Sequence, residues 1–593
     1  MRQIIGLSLG LVLLVGGCDG NDGNVPEAGP PPISGGTLHV TADARYAIVS
    51  DPARASIFVA DLASASQLHR LELTAEDEPG RIAEDAEGRV FVVLRRAGEV
   101  VTLDPRGGTI TERRDVCRAP RGIDVDPDGD LVIACAEGVL VRMPATGSGL
   151  HTVKLPPDLR DVVARDGRTY VSRLRTAEIL VLEGDRVVTT MRPASISVDE
   201  DPFGRSLEPT VAWRMRGVPG GVMLVHQNSV SSQLGVLGGS SGVYYGGDCS
   251  LGVVRAVVTM FSVPAEDPSL FQSSAVAVDG ASLVVDGAIE ERTGRIYVSA
   301  AAETGPSTFG GRGFGFSGVR TLEPRGMSSI PTCFASGSGD QLRGGDFAAT
   351  AVAPIPGGGM VVQYRDPSML VVDHGRSPLA GGEPSTRQIA LTGGPVQHFG
   401  HALFHEAAGT GATCAGCHPE GAEDGHTWLF ESGTRRSQTL TGGILETAPF
   451  HWDGQVGGST GVMEGTFVGR MGGQMPRAEE IESFSAWIDA LPAMPGEPIA
   501  DTGAVERGRT LFEDDAMGCA SCHSGPRRTN NQSMDVGTGG RFQVPGLYEL
   551  SYRPTYFHDG SADSLDAVVA SHGNSTSLDD TQRADLVAFL RTL

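Results

Sequence analysis

Short apolar runs separated by polar turns occupy the chain from about residue 38 to residue 391. Runs such as 89–94 are rich in β-branched residues, which is typical of strands, and no long helical period interrupts them. Turns that combine an acidic residue with glycine recur just before such runs, at 85–89, 124–131 and 163–168. A spacing of roughly 40 residues is that of a four-stranded propeller blade. The pattern predicts an all-β propeller of about seven blades, with a pair of packed sheets as the alternative.

Two glycine-rich insertions, at 235–247 and 305–318, enlarge the middle blades. The stretch 37–392 resembles propellers of the YVTN and NHL type in its pattern, although it carries no specific signature of them. Its histidines are scattered singly, which is more typical of strand packing or surface positions than of ligands. Since propellers serve many functions, this one is predicted to be either a docking platform for a partner or a rigid cap on the region that follows.

The pattern changes at 393–395, Gly-Gly-Pro, after which apolar residues recur at helical spacing from 396 to 409. A similar short helical run precedes each of the two motifs described next. The chain is therefore predicted to continue as a mainly α-helical region made of two cytochrome c domains, 395–500 and 501–593.

Each helical domain carries one C-x-x-C-H motif, Cys414-Ala-Gly-Cys417-His418 and Cys519-Ala-Ser-Cys522-His523. This motif attaches haem c, because its thiols form thioethers with the porphyrin and its His binds the iron. A zinc ribbon would place its Cys pairs about 15–20 residues apart, and a thioredoxin-like pair would need a βαβ setting. A disulfide within each motif would leave both His unexplained. The sequence predicts two covalently attached haems.

Length and charge limit the remaining function classes. The chain has 593 residues, too many for one hydrophobic core, and its formal net charge is −25. Such a charge repels nucleic acids and anionic lipid headgroups, so neither is expected as a partner.

The N-terminus has the pattern of an export signal. Met1-Arg2 is followed by an apolar run at 4–15, which is too short to span a bilayer comfortably, and by Gly16-Gly17-Cys18. Residues 1–18 resemble a bacterial lipoprotein signal, in which the Cys carries the lipid; an ordinary signal peptide is the alternative. Residues 19–36, rich in Gly, Pro, Asp and Asn, are expected to be a flexible linker. The predicted location is the periplasmic side of a bacterial membrane, either lipid-anchored or free.

Four cysteines remain after the lipid and haem positions, namely Cys117, Cys135, Cys249 and Cys333. An even number in an exported protein predicts two disulfides. Proximity along the chain favours pairing the first with the second and the third with the fourth, although four cysteines allow three pairings.

The C-terminal third resembles the di-haem bacterial cytochrome c peroxidases and their relatives, which include the methylamine-utilisation di-haem enzymes. Four segments carry the resemblance: Gly425-His-Thr-Trp428, Trp452-Asp-Gly454, Pro554-Thr-Tyr-Phe-His-Asp-Gly-Ser561 and Ser564-Leu-Asp-Ala-Val-Val569. The resemblance implies haem ligands as well as a fold.

By this resemblance His426 is the distal ligand of the first haem, opposite His418. His572 stands where the family has the Met that binds the second haem, opposite His523. A His in place of that Met would lower the potential of the second haem, since Met/His ligation raises it.

The resemblance also places Trp452 between the two haems as a catalytic residue. The acidic catalytic residue of the family, expected near Arg470, is absent, and Glu464 is the nearest carboxylate that could replace it. No Asn lies between His426 and Trp452, so we do not predict the calcium site of the family. Further neighbours expected around the haems are His451, His558, Met463, Met471 and Met475. The leading helix is expected to present His398, His401 and His405.

Together these features predict an exported di-haem c-type cytochrome that transfers electrons and reduces peroxide. The alternatives are an electron-transfer cytochrome with His on both sides of each iron and no peroxidase activity, or an oxidase acting on a docked partner. The expected partners are a small cytochrome or cupredoxin as electron donor, hydrogen peroxide, and a membrane reached through lipid on Cys18.

Overall fold

A computed structural model describes residues 29–197, 206–234, 252–278, 280–303, 318–322, 348–373 and 386–593. Cys18, Cys249 and Cys333 lie outside these ranges, so the lipid site and the second disulfide stay predictions. The first disulfide is confirmed, because Cys117 and Cys135 are bonded. It joins the chain entering the third propeller blade to the second strand of that blade.

Seven antiparallel sheets follow one another along the chain and form a seven-bladed β-propeller, as predicted. The strands of blades 1 and 2 are Leu38–Val40, Tyr46–Asp51, Ser56–Asp61, Ser66–Glu72, Pro79–Glu84, Val90–Leu94, Glu99–Asp104 and Thr109–Asp115. Those of blades 3 and 4 are Pro120–Val125, Asp130–Cys135, Val139–Pro144, His151–Lys154, Leu159–Arg165, Arg168–Arg173, Ile179–Glu183 and Arg186–Met191. Those of blade 5 are Ile196–Ser197, Ser206–Val218, Gly221–Val230, Val254–Ser262 and Gln272–Ala277. Those of blades 6 and 7 are Ala281–Ile289, Ile296–Glu303, Val319–Leu322, Ala349–Pro354, Met360–Tyr364, Met369–Asp373 and Thr386–Ala390.

The repeated acidic-glycine turns occupy the same place in blades 2, 3 and 4, between the first and second strands. In blade 2, Asp85 accepts hydrogen bonds from the backbone N–H groups of Glu87 and Arg89. Gly88, Gly129 and Gly167 adopt φ values of 76°, 89° and 74°, which favour glycine. The repeat seen in the sequence is therefore a repeat of one turn geometry.

Side chains of each strand point alternately to the two neighbouring blades, as the pleat requires. In blade 1, Val49 and Phe58 pack against Val361 of blade 7, whereas Ile48 and Ile57 pack against blade 2. Each blade is built from strands that are consecutive in the chain, so this packing closes the ring without exchange of strands between its ends.

Eight α-helices follow within 386–593. They are α1 (Phe399–His405), α2 (Cys414–Cys417), α3 (Ser459–Val462), α4 (Ala478–Asp489), α5 (Thr502–Glu513), α6 (Cys519–Cys522), α7 (Leu565–Ser571) and α8 (Asp580–Arg591). Two small hairpins accompany them, Thr427–Phe430 with Gly433–Arg436 and Ser533–Asp535 with Arg541–Gln543. Across the described part of the chain, no helix combines the length and apolarity needed to cross a membrane.

Helices α5 and α8 pack closely in the second helical domain. The α8 cap is Asp579, whose carboxylate accepts from the backbone N–H of Gln582 at 2.9 Å. Gly508 permits the close approach, because a Cβ there would lie 1.9 Å from the carbonyl oxygen of Asp585. The rings of Phe512 and Phe589 meet across the contact with centroids 5.3 Å apart.

Blades 5 and 6 share one hydrophobic cluster with the first helical domain. Trp213 and Leu283 of the propeller belong to the same cluster as Phe404 of α1 and Trp487 of α4. Ile33 also belongs to it and donates its backbone N–H to Nε2 of His405 at 3.1 Å. Residues 29–36 form the end of the predicted linker. They are not flexible, because their carbonyls and apolar side chains pack against both the propeller and the first helical domain.

This shared cluster predicts that a fragment starting at Pro395 will not fold as an independent unit. Without the propeller, Phe404 and Trp487 would lose much of their apolar packing, and each large side chain contributes roughly 2–3 kcal/mol when buried. We expect aggregation of the exported fragment 395–593 in size-exclusion chromatography, while the full chain stays soluble. A soluble fragment with cooperative unfolding would show that the shared cluster is peripheral.

Candidate haem sites

The first C-x-x-C-H motif forms the short helix α2 and lies against the propeller. Thr413 caps this helix, because its side-chain oxygen accepts from the backbone N–H of Gly416 at 2.9 Å. Gln227, on the third strand of blade 5, donates to the carbonyl oxygen of Gly416 at 2.8 Å. The oxygen of the same Gln227 side chain accepts from the indole N–H of Trp213. The propeller therefore holds this motif directly.

A cavity of about 320 Å³ opens beside the motif, a volume in the range of cofactor pockets. Cys414, Cys417 and His418 line it, together with His451 and Trp452. Within the part of the chain that the structure describes, both thiols are free of disulfides. Burial raises the pKa of Cys414 to about 12 and lowers the pKa of His418 to about 4. The thiols are therefore protonated and the imidazole is neutral at physiological pH.

The rest of this cavity also suits a haem. Apolar side chains such as Phe467 and Phe484 cover part of it, as a porphyrin face requires. The basic residues Arg470 and Arg553 line it too, and the guanidinium fork suits carboxylates such as haem propionates. The residues present fit the group that the motif implies.

The second motif forms helix α6 and is more exposed. The Nδ1–H of His523 donates to the carbonyl oxygen of Arg528 at 3.2 Å. This hydrogen bond orients the ring through Nδ1, so that Nε2 would be the nitrogen that binds a metal. Burial lowers the pKa of His523 to about 4, so that nitrogen carries a lone pair rather than a proton.

His572 faces His523 across this site. It follows helix α7, and the centroids of the two rings are 6.5 Å apart. Two imidazoles on opposite sides of one metal, each bound at about 2.0–2.1 Å, would have centroids roughly 6–6.5 Å apart. Nδ1 of His572 is buried and makes no hydrogen bond within the described residues, while burial lowers the pKa of this His. The structure brings together the two residues that the sequence assigned to the second haem.

Trp452 lines the first cavity, and its place between two haems stays a prediction of the resemblance. Its indole N–H donates to the carbonyl oxygen of Arg436 at 2.8 Å. The backbone N–H of Arg436 donates in turn to the carbonyl oxygen of His558 at 2.7 Å. The neighbouring Phe557 lies 5.8 Å, centroid to centroid, from His572. A continuous chain of contacts thus links the first cavity to the second site.

His426 lies outside the first cavity, although the resemblance assigns it to that haem. Its Nε2–H donates to the carbonyl oxygen of Val230 in blade 5 at 2.9 Å. Its ring meets the edge of Trp428 at a centroid distance of 4.6 Å. The structure therefore gives His426 a place at the contact with the propeller, and its role as a ligand stays a prediction.

The structure also places Glu464 away from the cavity, since its side chain is exposed whereas Met463 and Phe467 line the cavity. The carboxylates that do line it are paired with arginines: Glu423 with Arg436 at 2.6 Å, and Asp453 with Arg435 at 3.3 Å. The sequence suggested neither of these pairs, whose members are 13 and 18 positions apart and belong to different local elements.

The nearby methionines and histidines fall into three groups. Met463 and Met471 are buried and line the cavity, whereas Met475 is exposed. His558 stacks on Phe542 at 3.7 Å. His398, His401 and His405 lie at helix α1 as expected, and the last two rings pack against Trp487.

A buried ion triad joins the first haem motif to the propeller. Glu420, two residues after His418, accepts from Arg160 of blade 4 at 2.6 Å and from Arg95, which follows the second strand of blade 2. The two arginines are 3% and 7% exposed at their side chains. Burial alone would raise the pKa of Glu420, but the guanidinium groups of Arg160 and Arg95 hold it well below its usual range.

Comparison with known proteins gives three findings. Residues 505–593 match the family model described as Cytochrome c. Hydrazine synthase subunit gamma of Kuenenia stuttgartiensis is 26% identical over 272 residues, which cover 33% of this chain and 76% of that protein. Methylamine utilization protein MauG of Methylorubrum extorquens is 31% identical over 130 residues, 16% of this chain and 36% of that protein.

Among solved structures, Kuenenia stuttgartiensis hydrazine synthase aligns with a TM-score of 0.42 at 13% identity, covering 56% of this chain and 94% of that chain. The family match includes Cys519, Cys522 and His523. Residues 505–593 therefore form a cytochrome c domain that binds haem c covalently, and a seven-bladed β-propeller precedes this domain in the chain.

Proposed function

We propose that this chain is an exported di-haem c-type cytochrome whose function is electron transfer. The observation that carries the proposal is the facing pair His523 and His572 at 6.5 Å. Two neutral imidazoles would occupy both axial positions of the iron, and a six-coordinate iron leaves no position for a substrate. When bound, each haem supplies one-electron redox chemistry.

The residues of the chain have defined tasks in this proposal. The thiols of Cys414, Cys417, Cys519 and Cys522 hold the two porphyrins. The carbonyl of Arg528 sets the tautomer of His523, and the ring of Phe557 packs beside that of His572. Trp452 and Arg436 fix the separation of the two sites through buried hydrogen bonds.

Peroxide reduction at the first site is the second candidate. The cavity beside His418 and Trp452 favours it, because a small ligand could enter there. The position of Glu464 speaks against it, since an exposed carboxylate cannot donate a proton inside the cavity. We therefore rank electron transfer first.

The surface near the second motif suggests the chemistry of the electron donor. Ser521 is exposed, whereas the corresponding Gly416 of the first motif is buried, so the second site is the more accessible one. Glu513, Asp514 and Asp515 are exposed just before it. We propose a small cytochrome or cupredoxin with a basic surface as donor, in the periplasm and near the membrane to which lipid on Cys18 would attach the chain.

Three measurements on the exported holoprotein test this function. The intact mass should exceed the polypeptide by two haems, and reduction by a basic cytochrome should slow as ionic strength rises, because exposed charges are screened beyond about 10 Å at 0.1 M salt. Peroxide turnover with the reduced donor should stay at the background rate. Rapid turnover would instead favour the peroxidase, and a mass increase of one haem would contradict the di-haem proposal.

A further inference from the structure

We propose that His451 is the second axial ligand of the haem attached at the first motif. The inference rests on the proposed haem at Cys414, Cys417 and His418. It adds to that proposal the residue that would fill the remaining coordination position of the iron. His451 lines the same cavity as these three residues, whereas His426 does not. It is the one imidazole besides that of His418 among the described residues that line this cavity.

The backbone of His451 is held in an unusual conformation. Its φ is 64°, in the left-handed region that favours glycine. A tight turn fixes it, because the N–H of Gly454 donates to its carbonyl at 3.0 Å and Phe450 pairs with Val456 on either side of the turn. Residues held in such conformations cluster at ligand sites, where the required orientation of the side chain outweighs the cost of a strained backbone.

The imidazole of His451 is also available for a metal. Its Nε2 lies 3.5 Å from the hydroxyl oxygen of Thr466, which is longer than a good hydrogen bond. In His426, by contrast, the Nε2–H already donates a hydrogen bond to the carbonyl oxygen of Val230 at 2.9 Å. Recruiting His426 to the iron would break this buried contact with the propeller or require its other nitrogen.

The remaining candidates are sulfurs. Met463 and Met471 line the cavity, but both belong to the apolar cluster that joins the helical domain to blades 5 and 6. Packing in such a cluster is the common role of a buried Met. A thioether ligand would also produce a sulfur-to-iron charge-transfer band, which distinguishes it from an imidazole.

The test is the His451→Gly variant of the full-length holoprotein. Glycine adopts a φ near 64° without strain, so the turn should fold. In electron paramagnetic resonance we expect one of the two haems to change from low spin to high spin and the other to keep its signal. Added imidazole should bind the opened iron and restore the low-spin signal.

Two further variants are measured alongside. His426→Gln should leave both low-spin signals unchanged, and Met463→Leu should do the same. The assignment is wrong if His451→Gly leaves both haems low spin, and most clearly so if His426→Gln opens one of them. A wild-type mass with no haem at the first motif would instead refute the proposed di-haem function itself, and this assignment with it.

Discussion

Replacing His572 with Met should raise the reduction potential of one haem by roughly 100 mV or more and leave the other nearly unchanged, since axial ligands set haem potentials over about 0.8 V. The reason is that a thioether favours the reduced iron more than a neutral imidazole does. Because His572 faces His523 at 6.5 Å, the substituted side chain would lie at the proposed iron site. A spectroelectrochemical titration of the holoprotein resolves the two potentials.

His558→Gln is the matched control, because His558 stacks on Phe542 in the same region without facing His523. Its two potentials should stay close to those of the wild type. If His572→Met changed neither potential nor the optical spectrum, His572 would be a residue at the end of helix α7, and another side chain would hold the second iron.

Replacing Glu420 with Gln should destabilise the whole chain by about 3–5 kcal/mol, the cost of removing one partner from a buried ion pair. The variant leaves Arg95 and Arg160 buried without the carboxylate that both contact. Equilibrium unfolding in urea, followed by fluorescence, measures the change. The surface pair of Glu479 with Arg477 provides the control, because both side chains are more than half exposed and Glu479→Gln should change stability little.

The carboxylate of Glu420 should also make the free energy of unfolding depend on pH. The pKa of Glu420 in the folded chain is lowered from its ordinary value of 4.5, so the unfolded chain binds the proton more readily. Its contribution to stability is therefore complete above about pH 4.5 and is lost as the pH falls toward the folded-state pKa. The unfolding free energy of the wild type should fall more steeply than that of Glu420→Gln in this acid range. Parallel slopes would show that Glu420 is not ionised in the native contact.

Local patterns in the sequence were sufficient for much of the fold. The turns around Gly88 and Gly129 revealed the blade repeat, because the same backbone geometry demands the same residues each time. The change of period after Pro395 located the start of the helical region, since blade 7 ends at Ala390 and α1 begins at Phe399. Both signals involve residues close together in the chain.

The contacts that the sequence did not reveal join distant residues. Glu420 and Arg95 are 325 positions apart, and Gln227 and Gly416 are 189 apart. A single glutamate or glutamine in a sequence does not indicate which distant residue it will contact in the fold. His451 illustrates the same limit: the sequence placed it only among the expected neighbours of the haems, and the fold shows that it lines the first cavity.

The burial of the first motif has a consequence for the order in which the protein matures. Ala415 and Gly416 are buried against blade 5, with Gln227 bonded to the carbonyl of Gly416. An attachment enzyme would need to reach both thiols of the motif, and these thiols are only partly exposed while Gln227 of blade 5 is bonded to the helix that carries them. If haem is attached there as proposed, attachment to Cys414 and Cys417 should therefore precede the docking of blade 5 on this motif. A chain in which blade 5 docked first would then be expected to keep two unmodified thiols at this site.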